Sequence, residues 1–205
     1  MKLFGFPPSP NVWKVRATAH YMGVPLELQI VDLTKGEQRK PEYLALNPTG
    51  RVPTLVDGDL VLWESSAIMQ YLGSKSKTSL WPDDAKKRAD IMRWQSWHLQ
   101  HWSRGANPFV FENVVKPLLK IGEPDQTVLP QAAEMFHREA AVLDKHLAQH
   151  DYLVDGELTL ADFTVVAPLF LSGPAKMPLE KYDNIRTWFG KQAAMPAWQE
   201  TAPRR

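Results

Sequence analysis

The chain of 205 residues has no cysteine. Disulfides, thiolate metal sites and a protein thiol acting as nucleophile are therefore excluded, and any sulfur chemistry must use a thiol carried in by a ligand. No apolar run approaches the roughly 18–20 residues that a membrane helix needs. Charge of one sign is lacking too: 24 Lys and Arg against 23 Asp and Glu leave a formal +1. No field therefore favours nucleic acid or an anionic membrane as a partner. The start, Met1-Lys2-Leu3-Phe4-Gly5, turns polar too soon for a secretory leader, so a cytoplasmic protein is expected. Internal repeats and low-complexity segments are absent. What is present is globular in character, 44% hydrophobic and 23% charged, enough to bury a core in one large or two small domains. Eight tryptophans are many for this length.

The stretch Asn47–Ser66 organises the rest. Asp57-Gly58, between the apolar runs Thr54-Leu55-Val56 and Leu60-Val61-Leu62-Trp63, predicts a hairpin with a type I′ turn, which needs φ > 0 at its centre. Glu64-Ser65-Ser66 precedes Ala67, Ile68, Met69, Tyr71 and Leu72, so a serine is expected to cap a short helix. Such a helix start holds unpaired N–H groups beside a hydroxyl, facing the turn around Pro53, and suits a carboxylate. Pro53 lies between strand-like runs, where it would remove a ladder hydrogen bond. On local grounds the Val52–Pro53 peptide is expected to be trans, as most X–Pro bonds are.

Upstream, residues 2–6 read as a strand. Ser9 before Pro10 signals a helix start, with Val12, Val15, Ala19 and Met22 at helical spacing and Gly23 as the stop. Leu26–Val31 alternates as a strand, and a short helix is expected after Pro41. The order β-α-β-(α)-β-β-α implies a mixed four-stranded sheet. Gly73–Asp84 is polar and reads as a linker. Everything beyond it has a helical pattern: residues 85–104, with a break or kink at Gly105-Ala106-Asn107-Pro108; Leu129–His150; a helix opened by Thr159-Leu160-Ala161-Asp162 as a capping box; and Asn184–Met195. Trp198 closes the ordered part, and residues 202–205 are expected to fray.

The motifs G-R-V-P-T-L, D-G-D-L-V-L-W-E-S-S-A-I, P-P-S-P-N-V-W-K-V and D-G-E-L-T-L-A-D-F together resemble those of the cytosolic glutathione transferase family, in its serine-type, bacterial phi/theta-like form. The resemblance covers nearly the whole chain. It implies an α/β plus all-α architecture: a thioredoxin-like, glutathione-binding domain over 1–76, a linker over 77–84 and an all-helical domain over 85–205. It also implies a cis Val52–Pro53 peptide, glutathione as co-substrate, no metal, and a homodimer that takes a small apolar electrophile between its two domains. The aromatic lock of some classes has no counterpart near Thr49.

Site residues follow from the same motifs. Ser9 read alone is a helix cap. In the serine-type transferases the catalytic hydroxyl occupies this place, where it can donate to a thiolate that also feels the helix dipole. Asn11 is a second donor candidate, against a plain surface residue. Phe4 and Phe6 carry no hydroxyl, so a tyrosine-type mechanism does not apply. Glu64 would accept from the γ-glutamyl ammonium and Ser65 would donate to its carboxylate. Val52, before Pro53, would pair through its backbone with the cysteinyl part. Gln38 and Arg39 fall where relatives carry a His-Lys pair for the glycine carboxylate. Arg39 keeps the charge, Lys40 is its rival, and Arg51 stands where Gln is common.

R-W-Q-S-W-H-L-Q-H-W resembles a Trp-rich helix of bacterial relatives, beside the dimer interface and the electrophile pocket, for which Phe6, Trp102, Phe109 and Phe111 are the lining candidates. His98 and His101 are spaced i, i+3, but a metal would need further ligands that no motif supplies. The activity implied is conjugation of the glutathione thiol to apolar electrophiles. Peroxidase, isomerase or dehalogenase chemistry, and a non-catalytic ligand-binding module, stay open as alternatives.

Overall fold

Strand β1 (Lys2–Gly5) buries Leu3 and Gly5 on one face and turns Lys2 and Phe4 to the other, in the computed structural model, which describes residues 1–203. A Cβ on Gly5 would lie 2.7 Å from Val12 Cγ1, so only glycine lets α1 (Pro10–Tyr21) lie this close to the strand. β2 (Glu27–Ile30) runs parallel to β1. Two single 3₁₀ turns and α2 (Pro41–Leu44) lead to the antiparallel pair β3 (Thr54–Asp57) and β4 (Leu60–Trp63), and α3 (Ser65–Ser74) follows. The sheet order is β2-β1-β3-β4, the mixed four-stranded sheet expected of a thioredoxin-like domain.

The hairpin turn differs from expectation. Asp57 pairs with Leu60, so Gly58 and Asp59 are the central residues. Of the two only Gly58 has positive φ, at 62°, the pattern of a type II′ turn. Asp57 is then available to accept from Tyr71 Oη and Lys75 Nζ, both at 2.6 Å, which ties the hairpin to α3.

The chain divides into two compact units, Met1–Trp81 together with the segment from Met195 onward, and Pro82–Ala194. The first takes in α11 (Pro196–Gln199), which the expected helical region 85–205 had included. Trp198 lies edge-on to Trp13 at 5.5 Å, and Trp13 Nε1 donates to the Trp198 carbonyl and Thr201 Oγ1. Of the expected frayed tail, Arg204 and Arg205 lie outside the described residues.

In the second unit α4 (Ala85–Trp97), a π turn (His98–Trp102), α5 (Ser103–Val110), a second π turn (Phe111–Val115) and α6 (Lys116–Leu119) follow without interruption. Of the break or kink expected at residues 105–108, a break does not occur, since α5 runs through them. Gly105 is required by packing, since a Cβ there would lie 2.5 Å from Phe136 Cα of α7 (Leu129–Leu147). Pro108 lies inside α5, between the two π turns. Helix α8 (Leu160–Val166) is buried on all sides, α9 (Ser172–Ala175) is one turn, and α10 (Asp183–Ala193) packs on α7. Among the described residues no helix is long and apolar enough to cross a membrane.

The capping box at α8 is formed as expected, and more is built on it. Asp162, fully buried, accepts from Thr159 N (2.9 Å), Leu153 N (3.1 Å) and Trp188 Nε1 (3.3 Å). Burial nevertheless outweighs these bonds and pushes its pKa up to about 6. A raised carboxyl contributes stability that is complete below the unfolded value near 3.8 and is lost as pH rises through 6. The stability difference between wild type and Asp162→Asn is expected to grow by up to about 3 kcal/mol between pH 7 and pH 4. Chemical denaturation at several pH values measures it, and a difference independent of pH would contradict it.

Candidate functional site

Register decides where the candidate residues fall. Thr54 pairs with Phe4 on one side and with Trp63 on the other, so the three form one row across β1, β3 and β4. Just beyond that row lie the Phe6–Ser9 loop after β1, Val52-Pro53 before β3, and Glu64-Ser65 after β4. β2 ends at the same level, because Gly5 pairs with Ile30, and leads into the loop carrying Gln38, Arg39 and Lys40. The sheet therefore delivers the Ser9, Asn11, Val52, Pro53, Glu64, Ser65 and Arg39 positions to one end.

Two helices begin there. Ser9 is the N-cap residue of α1 with φ −70° and ψ 124°, and Pro10 holds the first helical position. Its carbonyl accepts from Val12 N (3.1 Å) and Trp13 N (2.9 Å), but its hydroxyl makes no capping bond to the helix. Ser9 is thus the cap residue by position, as expected, but its hydroxyl is not used for capping and can serve a ligand. Asn11 is exposed on the first turn. At α3 the residue in the cap position is Glu64 rather than a serine, with φ 71°, ψ 113° and no side-chain capping bond. Ser65 is 7% exposed and opens the helix, where the leading N–H groups have no intrahelical acceptor.

The Val52–Pro53 peptide is cis, against the local expectation and in keeping with the resemblance. Its surroundings explain how the turn is held. The Arg51 carbonyl accepts from Tyr43 Oη (2.5 Å) and Asn47 Nδ2 (2.8 Å). Both donors also reach Thr54 Oγ1, at 2.9 and 3.2 Å, on the far side of the proline. Asn47 Oδ1 accepts from Thr49 N and Thr49 Oγ1, so its amide is used at both ends. Burial pushes the Tyr43 phenol up, with the bonds to Thr54 and Asn47 opposing. Tyr43 and Asn47 escaped the sequence reading, although an Asn before a Pro-Thr-Gly turn is a residue that bonds its own loop.

The three candidate cations separate. Lys40 Nζ sits 3.2 Å from Glu37 Oε1, and both line a hollow of about 280 Å³ with Phe4, Tyr43 and Leu46, which contains none of the other candidates. Arg39 and Arg51 are exposed and carry no ion pair among the described residues. The electrophile-pocket candidates separate as well. Trp102 is fully buried, stacked on Trp97 at 5.8 Å and packed on Phe136 at 4.9 Å. Phe109 also packs on Phe136, at 6.1 Å. These two rings are core, contrary to their reading as lining. Phe111, 43% exposed, does line a cleft of about 670 Å³ in the second unit, with Pro108, Val128, Met135, Arg104 and Asn107. Phe6 is half-buried at the sheet end. His98 is buried and His101 exposed, and among the described residues no group of three acidic or histidine side chains could hold a metal ion.

Asn47→Ala removes two donors and an acceptor from a buried turn. It is expected to cost about 1–3 kcal/mol of stability and to weaken any ligand that pairs with the Val52 backbone, as thermal unfolding and ligand titration would show. Unchanged melting would mean that the turn is held without the amide.

Residues 1–74 match the family profile of the glutathione S-transferase N-terminal domain, and residues 105–196 that of the C-terminal domain. Glutathione S-transferase 3 of Zea mays is 39% identical over 98% of this chain and 92% of its own length. The solved structure of glutathione S-transferase III in apo form superposes with a TM-score of 0.85 at 38% identity, covering 100% of this chain and 98% of that one. Glutathione S-transferase I from mais in complex with an atrazine glutathione conjugate gives a TM-score of 0.86 at 28% identity, over 98% and 95% of the two chains. Matched in both halves and over nearly its full length, the chain belongs to the glutathione S-transferase family.

Proposed function

We propose that the protein is a serine-type glutathione transferase, which ionises the glutathione thiol at Ser9 and joins the sulfur to an apolar electrophile. The observation that carries this reading is the Ser9 hydroxyl, unspent on capping at the start of a twelve-residue helix. A free thiol has a pKa near 8.5, and lowering it by two units requires about 2.7 kcal/mol of preference for the anion. One charge-assisted hydrogen bond of roughly 1.5–3 kcal/mol, with the helix dipole, is enough.

In this reading Glu64 accepts from the γ-glutamyl ammonium, Ser65 donates to the neighbouring carboxylate, and Val52 pairs through its backbone with the cysteinyl unit. Arg39, unlike Lys40, has no acidic partner to leave among the described residues and takes the glycine carboxylate, with Arg51 beside the turn. Asn11 is an auxiliary donor. Residues 1–76 then form the glutathione-binding domain, joined by 77–84 to the helical domain, whose Phe111 cleft suits the apolar substrate. The relative whose structure holds an atrazine glutathione conjugate supports an aromatic electrophile with a leaving group. The thiolate forms the S–C bond as the leaving group departs with its electron pair, or the sulfur adds to an activated alkene. We place the enzyme in the cytoplasm as a homodimer. Met92 and Leu99, each about half exposed and seven residues apart on α4 and the following π turn, offer apolar side chains to a second copy.

Ultraviolet difference titration of glutathione into the protein is expected to show a thiolate band well below the free thiol's pKa. Ser9→Ala should abolish that band and lower kcat/KM with several electrophiles by about 10–100-fold. Wild-type turnover in Ser9→Ala would remove Ser9 as the activator, and binding without a band would make the protein a carrier.

A further inference from the structure

The cleft of the second unit, about 670 Å³, has one wall on α5 and the π turn after it and the other around the start of α7. Arg104, Asn107, Pro108 and Phe111 follow one another on the first wall at helical spacing, so they share a stripe. Gly105 lies against Phe136, and Glu112 Oε2 accepts from Asp125 N at 2.6 Å, so the two walls run antiparallel. Phe111 and Val128 therefore stand at one end, and Arg104 and Met135 at the other.

Of the side chains lining the cleft, two are charged. Glu112 is 5% exposed, and its carboxylate is spent on Lys116 Nζ, at 2.6 Å, and on the Asp125 N–H. On the next turn of α7, Glu139 is engaged by Trp97 Nε1 at 3.0 Å and by Arg138 Nε at 2.8 Å. Arg104 is exposed and carries no ion pair among the described residues. The cleft thus offers a ligand one uncompensated positive charge among apolar and neutral polar groups. Walls of low dielectric focus such a charge inward. In a pocket of this size apolar surface holds the body of a ligand, and its few polar groups select the chemistry. Seven residues of helix, at about 1.5 Å each, separate Arg104 from Phe111 by about 10 Å along the axis. The long arginine side chain shortens that span to the size of one substituted ring. Its guanidinium fork matches the two oxygens of a carboxylate.

We propose that the cleft selects aromatic electrophiles that carry a carboxylate, with the ring against Phe111 and the anion on the Arg104 guanidinium. The inference rests on the reading of this cleft as the electrophile site and narrows the substrate class of that site.

The experiment compares 4-chloro-3,5-dinitrobenzoate with its methyl ester, one anionic and one neutral, as partners for glutathione. In both, the sulfur forms a bond to the ring carbon, chloride leaves with its electron pair, and the thiol proton goes to solvent. The readout is the ratio of kcat/KM for carboxylate over ester, divided by the ratio of their uncatalysed rates with glutathione. Wild type, Arg104→Gln, Arg104→Lys, Arg104→Glu and Phe111→Ala are measured. The normalised ratio is expected to exceed about five in wild type and to fall about tenfold in Arg104→Gln. Arg104→Lys should stay within about threefold of wild type, and Arg104→Glu should favour the ester. A ratio near one in wild type, or one unchanged in Arg104→Gln, would overturn the selection while leaving the cleft as the electrophile site. Wild-type kcat/KM for both electrophiles in Phe111→Ala would instead remove the cleft as that site and the inference with it. Conjugation of neither compound by the wild type would overturn the transferase reading itself.

Discussion

The row Phe4–Thr54–Trp63 is the constraint on which the candidate site depends. Three strands meet on it, and each hands the chain to a different functional segment at that level. A slip of one residue between β1 and β3 would turn Leu55 out of the core and carry the Val52-Pro53 turn away from Ser9. Leu3 and Leu55, both fully buried, prevent that slip, so packing on one face of the sheet fixes the geometry at its end. The network of Tyr43, Asn47 and Thr54 then holds the turn itself. Thr54 is fully buried and belongs to both the register and the network.

Helix starts divide by use. In the second unit α4 is closed by Asp84, whose carboxylate accepts from Lys87 N at 2.8 Å, and α8 by the Thr159–Asp162 box. In the first unit α1 and α3 begin with no side-chain cap and no acid in the first turn. An uncapped start alone means little, since α10 has one too. The combination is what matters: two open starts at the same sheet end, with a hydroxyl at each. An anionic ligand with an ammonium can use the N–H groups and hydroxyls for its anionic parts and Glu64 for its cationic one.

Much of this was legible because short-range pattern and tertiary structure agree. The β-α-β order, the Ser9-Pro10 start, the Thr159 box and the hairpin all show in periodicity and turn residues. The departures have long-range causes. Gly105 reads as a breaker but serves the approach of α5 to α7, which no local window contains. Trp102 and Phe109 read as pocket lining until Phe136, some thirty residues on, takes both rings. The Asp57-Gly58 pair announces a hairpin, while the register of β3 against β4 moves the turn one residue along.

A chain without cysteine that performs thiol chemistry has to make binding and activation one event. A serine hydroxyl is no thiolate, and at neutral pH all it can offer is a hydrogen bond. If that bond lowers the ligand's thiol pKa by two units, linkage requires the site to hold the thiolate about a hundredfold more tightly than the thiol. A pocket that bound both forms equally would capture glutathione and leave its sulfur protonated. The contacts to the γ-glutamyl and glycine ends do not distinguish the two forms, so they contribute uniform binding. Discrimination therefore falls on the few groups near the sulfur. In the proposed mechanism, the unspent Ser9 hydroxyl at its open helix start therefore carries more weight than the charged residues around it.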